Sequence, residues 1–121
     1  MNTTTIIGRL AADPELRFTK NGTAVASFRV AVRNPRDDDQ PHWIPVVAYG
    51  KVAEATAAHR AQGDQIGVTG ELTSRQWTDN EGQRHSLLEV VARTVDFLAR
   101  KRTSTDDPAP DQVTADTSEP Y

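Results

Sequence analysis

The sequence predicts an all-β domain of about five strands, with one α-helix between the third and fourth, followed by a disordered tail. Three observations predict it: apolar side chains recur at every second position in several short runs, an alanine-rich segment interrupts those runs once, and the patterning stops near Arg102. The chain of 121 residues is the size of one domain.

The first run, Thr4 to Leu10, ends at the Asp13-Pro14 turn signal, and Asn21-Gly22 marks a second turn. From Val25 to Arg33 the alternation is plain. Ala26, Phe28, Val30 and Val32 point one way and Ser27, Arg29, Ala31 and Arg33 the other, giving that strand a core face and a basic face. After the acidic connector Asp37-Asp38-Asp39, residues His42 to Tyr49 read as a third strand, with Ile44, Val46 and Ala48 opposed to Trp43, Val47 and Tyr49. Pro45 brings no backbone donor, so it belongs at a bulge or on an unpaired side.

Lys51 to Ala61 is alanine-rich and predicts a helix of about three turns, with Gly63 as its C-terminal cap. Beyond it, Ile66, Val68, Gly70 and Leu72 alternate with Thr69, Glu71, Thr73, Arg75 and Trp77, a long strand whose outer face becomes basic and aromatic at its end. Asp79 to Gly82 makes a turn. Leu87 to Leu98 is apolar on both sides in parts; periodicity alone leaves a helix open there, and the valines and the preceding turn favour a strand. This order of elements is that of an OB-fold, a partly open five-stranded Greek-key barrel.

Composition excludes several functions. No apolar run approaches the ~18 residues that cross a bilayer, and the start MNTTTIIGRL does not read as a secretory signal, so a cytoplasmic protein is expected. The absence of cysteine rules out disulfides, thiolate metal sites and a cysteine nucleophile. His42, His59 and His85 lie on different elements with no metal-ligand spacing, the triple aspartate reads as a solvated loop, and no phosphate loop or catalytic motif occurs. Neither a metal, a cofactor nor an enzymatic activity is expected.

Taken as an average, the net charge of -3 argues against a polyanionic partner, but it is unevenly spread. All 14 Lys and Arg lie at or before Arg102, and five of the 17 acids lie after it. Residues 1–102 thus carry about +2 and the tail about -5. Proteins that hold unpaired nucleic acid combine a positive groove with aromatic platforms for bases. Side-chain parity supplies both here, because Trp43, Tyr49 and Trp77 fall on non-core faces together with Arg29, Arg33 and Arg75. Taken singly, each ring suits a core or interface position as well, since a one-residue slip reverses its face.

Four ordered blocks carry a resemblance: Gly8–Arg17 (GRLAADPELR), Asn21–Ala26 (NGTAVA), Tyr49–Glu54 (YGKVAE) and Trp77–Asp79 (WTD). Residues 1–98 resemble the bacterial single-stranded DNA-binding protein family. The resemblance implies an OB-fold that coats single-stranded DNA in replication, recombination or repair, and a homotetramer. It implies that Trp43, Tyr49 and Trp77 stack on bases and that Arg17, Lys51 and Arg75 lie near the DNA path; Arg29, Arg33 and Arg84 complete the expected DNA-binding set.

The departures are specific. The connector RNPRDDDQP has no aromatic where family members commonly carry another stacking Trp; Ile44-Pro45 and Gln76 stand where many have basic residues. Weaker binding or a smaller site is expected, as in a specialised paralogue or a phage- or plasmid-borne copy. The tail, 103–121, ends Glu119-Pro120-Tyr121, a thinned version of the family's acidic tip that docks replication and repair proteins, or an inert solubilising tail. The competing reading is an OB-fold scaffold for protein partners, with its aromatics at an interface.

Overall fold

A computed structural model describes residues 1–99. The tail, with the proposed partner-binding residues Glu119, Pro120 and Tyr121, lies outside the described residues. The elements are β1 (Thr4–Leu10), β2 (Glu15–Phe18), β3 (Ala24–Val32), β4 (His42–Tyr49), α1 (Gly50–His59), β5 (Gln65–Thr78) and β6 (Arg84–Phe97).

The strands hydrogen-bond in the order β1-β5-β6-β4-β3-β2, and an added β1–β3 pairing, Arg9 with Ala31 and Leu10 with Val30, closes the sheet into a barrel. Every neighbour is antiparallel except β4 and β6, where Val46 faces Val90 and Val47 faces Val91. Leaving aside the short β2, this is the five-stranded OB-fold with its helix between the third and fourth barrel strands. Leu10, Ala26, Phe28, Val30, Val46, Ala48, Ile66, Val68 and Val90 fill the interior, each from the inward positions of its strand.

Three local features depart from the sequence reading. Glu15–Phe18, which lies between the two turn signals and in none of the predicted strands, pairs with β3 from Glu15–Ser27 to Phe18–Ala24. All four of its residues are exposed, so backbone pairing rather than burial makes it a strand. The helix ends at His59, short of Ala61, and Gly63 is not its cap. Arg60 is already extended at φ -129°. The Asp64 carboxylate accepts the Ala61 N–H at 2.9 Å and the Asp13 carboxylate the Gln62 N–H at 2.8 Å. Two side-chain acceptors thus draw the chain out of the helix into a turn, where Gly63 takes φ +90° and donates its N–H to the Leu10 carbonyl at 2.9 Å. The last strand, finally, begins at Arg84, three residues before the apolar run.

Pro45 sits opposite Arg29 in the β3–β4 ladder, and the β4–β6 ladder begins one residue later at Val46. The missing donor thus falls where no β6 partner is paired. Between Thr69 and Gly70 the β5–β6 register shifts, and a Cβ at Gly70 would collide with the Val91 carbonyl oxygen. Only glycine permits that approach. Beyond the bulge β5 and β6 outrun the core and project as a two-stranded arm, exposed from Ser74 to Thr78.

Candidate nucleic-acid interface

Register shows which side chains share the outer surface, because directly opposed residues in a ladder stand on the same face. On β3 and β4 the outward rows are Val25–Tyr49, Ser27–Val47, Arg29–Pro45 and Ala31–Trp43. Arg17 extends the first row by pairing with Val25. Val47 carries the face to Val91 on β6, and from there Glu71–Val91, Thr73–Glu89, Arg75–Leu87 and Trp77–His85 continue it along the arm. One outer surface therefore runs from Arg17 across β3, β4 and β6 to Trp77, joining the three aromatics assigned by parity.

The rings stay out of the core. Trp43 is 51% exposed, Tyr49 49% and Trp77 41%. Val47, which shares their side of β4, is buried between Ser27 and Val91, so the centre of the surface is sealed and the rings stand proud of it. Trp77 is the most engaged ring. The His85 imidazole stacks on it with centroids 5.4 Å apart and planes 22° from parallel, and the Arg75 guanidinium lies 4.7 Å from its centroid.

The cations come already partnered. Arg75 Nε meets Glu89 Oε1 at 3.2 Å, Arg17 meets Glu15 at 3.6 Å, and Arg33 meets Asp38 of the connector at 3.7 Å. Arg29 is exposed beside Pro45 with no ion pair found among the described residues. Two assigned residues stand apart from this surface. Lys51 is exposed in the first turn of α1, two residues past Tyr49. Arg84 pairs with Thr78 and so occupies the opposite side of the arm from Trp77.

Residues 1–99 contain eleven Lys and Arg against twelve Asp and Glu. Any attraction for a polyanion thus comes from placement on one surface rather than from the overall charge of these residues.

Asp79 builds the turn at the tip of the arm. Its Oδ1 accepts N–H bonds from Glu81 and Gln83, each 2.9 Å, and its Oδ2 lies 2.7 Å from His85 Nε2. The His85 hydrogen bond, with the Gln83 and Glu81 amides, holds the Asp79 carboxyl below its ordinary value of 3.8. Sequence reasoning missed His85 as a neighbour of the site and treated it as a scattered surface histidine. The signal was the Asp79–Gly82 turn, which fixes the register that sets His85 across from Trp77.

Residues 1–98 match the model of the single-strand binding protein family. The chain belongs to that family. Similar members include single-stranded DNA-binding protein 3 of Clostridium acetobutylicum, 44% identical over 102 residues covering 81% of this chain and 71% of that one. The single-stranded DNA-binding protein of Clostridium tetani is 43% identical over 81% of this chain and 70% of its own. Single-stranded DNA-binding protein 1 of Staphylococcus aureus is 38% identical over 85% and 69%. The family match covers the barrel and its arm, the part that carries the aromatic surface. No helix among the described residues is long and apolar enough to cross a membrane, and no group of three or more acids and histidines among them is placed to hold a metal.

Proposed function

We infer that this chain binds single-stranded DNA without sequence preference, as a binding protein rather than an enzyme, and serves replication, recombination or repair. One observation carries the reading: Trp43, Tyr49 and Trp77 remain 41–51% exposed on one continuous surface. A domain this small gains most by burying such rings, each of which hides ~150–250 Å². Left outside, they offer flat seats on which bases stack for ~1–3 kcal/mol each, a contribution open to any base. Arg17, Arg29 and Arg75 on the same surface, with Arg33 just past the end of β3 and Lys51 and Arg84 off that surface, act on the phosphates.

Titration with poly(dT) at several salt concentrations tests this. Strong quenching of tryptophan emission, with affinity falling as salt rises, is the expected result. Unchanged emission would instead assign the rings to a protein interface.

Assembly as a homotetramer, with one strand passing over several such surfaces, follows from the family likeness. Ile7 supports it as an apolar side chain 56% exposed on the outside of β1. Light scattering on the full chain reads the mass directly, and a monomeric mass overturns that part. A nucleoid-associated location and recruitment of replication and repair proteins through Glu119, Pro120 and Tyr121 belong to the same reading. Deletion of 103–121 should leave DNA affinity intact and abolish such recruitment.

A further inference from the structure

The imidazole of His85 is held in a way the base-stacking reading does not require. Its Nε2 is tied to Asp79 Oδ2 at 2.7 Å, and its ring is laid against the Trp77 indole. Asp79 is anchored in turn by the Glu81 and Gln83 amides, and the His85 bond, together with those two, holds its carboxyl below the ordinary value, so that it is ionised at neutral pH. An ionised carboxylate only accepts, so the proton between the two groups sits on Nε2. A neutral imidazole held in this way presents Nδ1 as a bare acceptor, which repels a phosphate oxygen. Protonation converts Nδ1 into a charged donor. Nδ1 has no hydrogen-bond partner among the described residues.

The surroundings suit an anion. The imidazole is part-exposed on the Trp77 side of the arm, with the Arg75 guanidinium over the same indole, and the cavity of about 260 Å³ that His85 borders with Gln76, Arg84 and Ser86 opens by register on the other side. The charged groups around the imidazole are Asp79 from the turn, Arg75 from β5 with Glu89 behind it, and Arg84 from β6. Asp79 is engaged on the Nε2 side, and Glu89 is engaged by Arg75.

We propose that His85 is a proton-dependent phosphate contact, which grips the DNA backbone beside the base stacked on Trp77 and makes single-strand affinity rise as pH falls. The proposal rests on the DNA-binding reading above.

The test is binding of the full chain to an oligo(dT) probe between about pH 8 and about pH 5.5, the range where imidazole takes up its proton. The wild-type chain is compared with His85→Phe, which keeps a flat ring against Trp77, and with His85→Gln in case the first fails to fold. His42 and His59 are common to all three, so the difference isolates His85.

Wild-type affinity should rise about three- to tenfold over that range, with a salt slope steeper by about 0.7 at the acid end, one added contact on a single strand. Both variants should bind with a flat profile and keep the quench of Trp77. Equal pH dependence in the wild type and a folded variant, or none in the wild type, overturns the proposal while leaving the DNA-binding reading standing. Absence of binding at every pH overturns the DNA-binding reading itself.

Discussion

Arg75 and Glu89 face each other across the β5–β6 arm at 3.2 Å, with the Glu89 side chain only 15% exposed. The guanidinium that also lies over Trp77 is therefore partly neutralised before any DNA arrives. Glu89→Gln keeps the size and a carbonyl acceptor while removing the charge. It should free Arg75 for a phosphate, raise oligo(dT) affinity at low salt and steepen the salt slope by about 0.7. Fluorescence titrations at four or five salt concentrations read this. An unchanged slope would mean that Arg75 makes the same contacts with or without its acid.

Trp43 stands half exposed opposite Ala31, with no ring or cation contact among the described residues. Trp43→Ala should therefore remove a base platform and little else. A loss of ~1–3 kcal/mol of stacking corresponds to about five- to 150-fold weaker binding, with thermal stability changed by less than about 0.5 kcal/mol, as for an ordinary surface site. Parallel binding and melting experiments separate the two effects. A large drop in Tm without loss of affinity would place Trp43 in the packing rather than at the DNA.

Gly70 marks the bulge at which the arm leaves the barrel, and a Cβ there runs into the Val91 backbone. Gly70→Ala forces main chain apart in the central ladder. A cost of about 1–3 kcal/mol is expected from overpacking of this kind. For a domain of this size Tm should fall by roughly 4–8 °C per kcal/mol. Chemical denaturation with an unchanged slope and a lower midpoint would confirm that stability, not compactness, has changed.

Asp79 makes the turn pH-sensitive in a defined direction. Its folded carboxyl is held below the ordinary value by His85, Gln83 and Glu81. The stabilisation is complete above the unfolded value and disappears as pH falls through the lower folded one. Melting curves between neutral pH and about pH 3 should thus show a loss that Asp79→Asn largely lacks, the variant being less stable at neutral pH and closer to wild type in acid. A constant difference between the two proteins across that range would count against it.

Much of this was legible in the residues. Two-residue alternation in β3 and β4 was enough to place Phe28, Val30, Val46 and Ala48 inside and Arg29, Trp43 and Tyr49 outside, because one face of each strand is buried and fixes the register. Where burial is absent the signal fades. Glu15–Phe18 is held by backbone pairing alone, and Arg84, His85 and Ser86 lie on the arm beyond the core, so neither pattern shows a period. The end of α1 was misread because Asp13 and Asp64 accept from Gln62 and Ala61 only once the barrel brings them there. The pairing of Arg75 with Glu89 and of Trp77 with His85 depends on cross-strand register, which spacing along the chain does not reveal.

The aromatic surface itself is tested most directly by replacing Trp43, Tyr49 and Trp77 together with alanine and measuring oligo(dT) affinity by anisotropy with a labelled probe. Far-UV circular dichroism confirms that the barrel persists. The three platforms should together supply most of the affinity, so binding should fall by at least about a hundredfold. A folded triple variant that binds as tightly as the wild type would contradict the account.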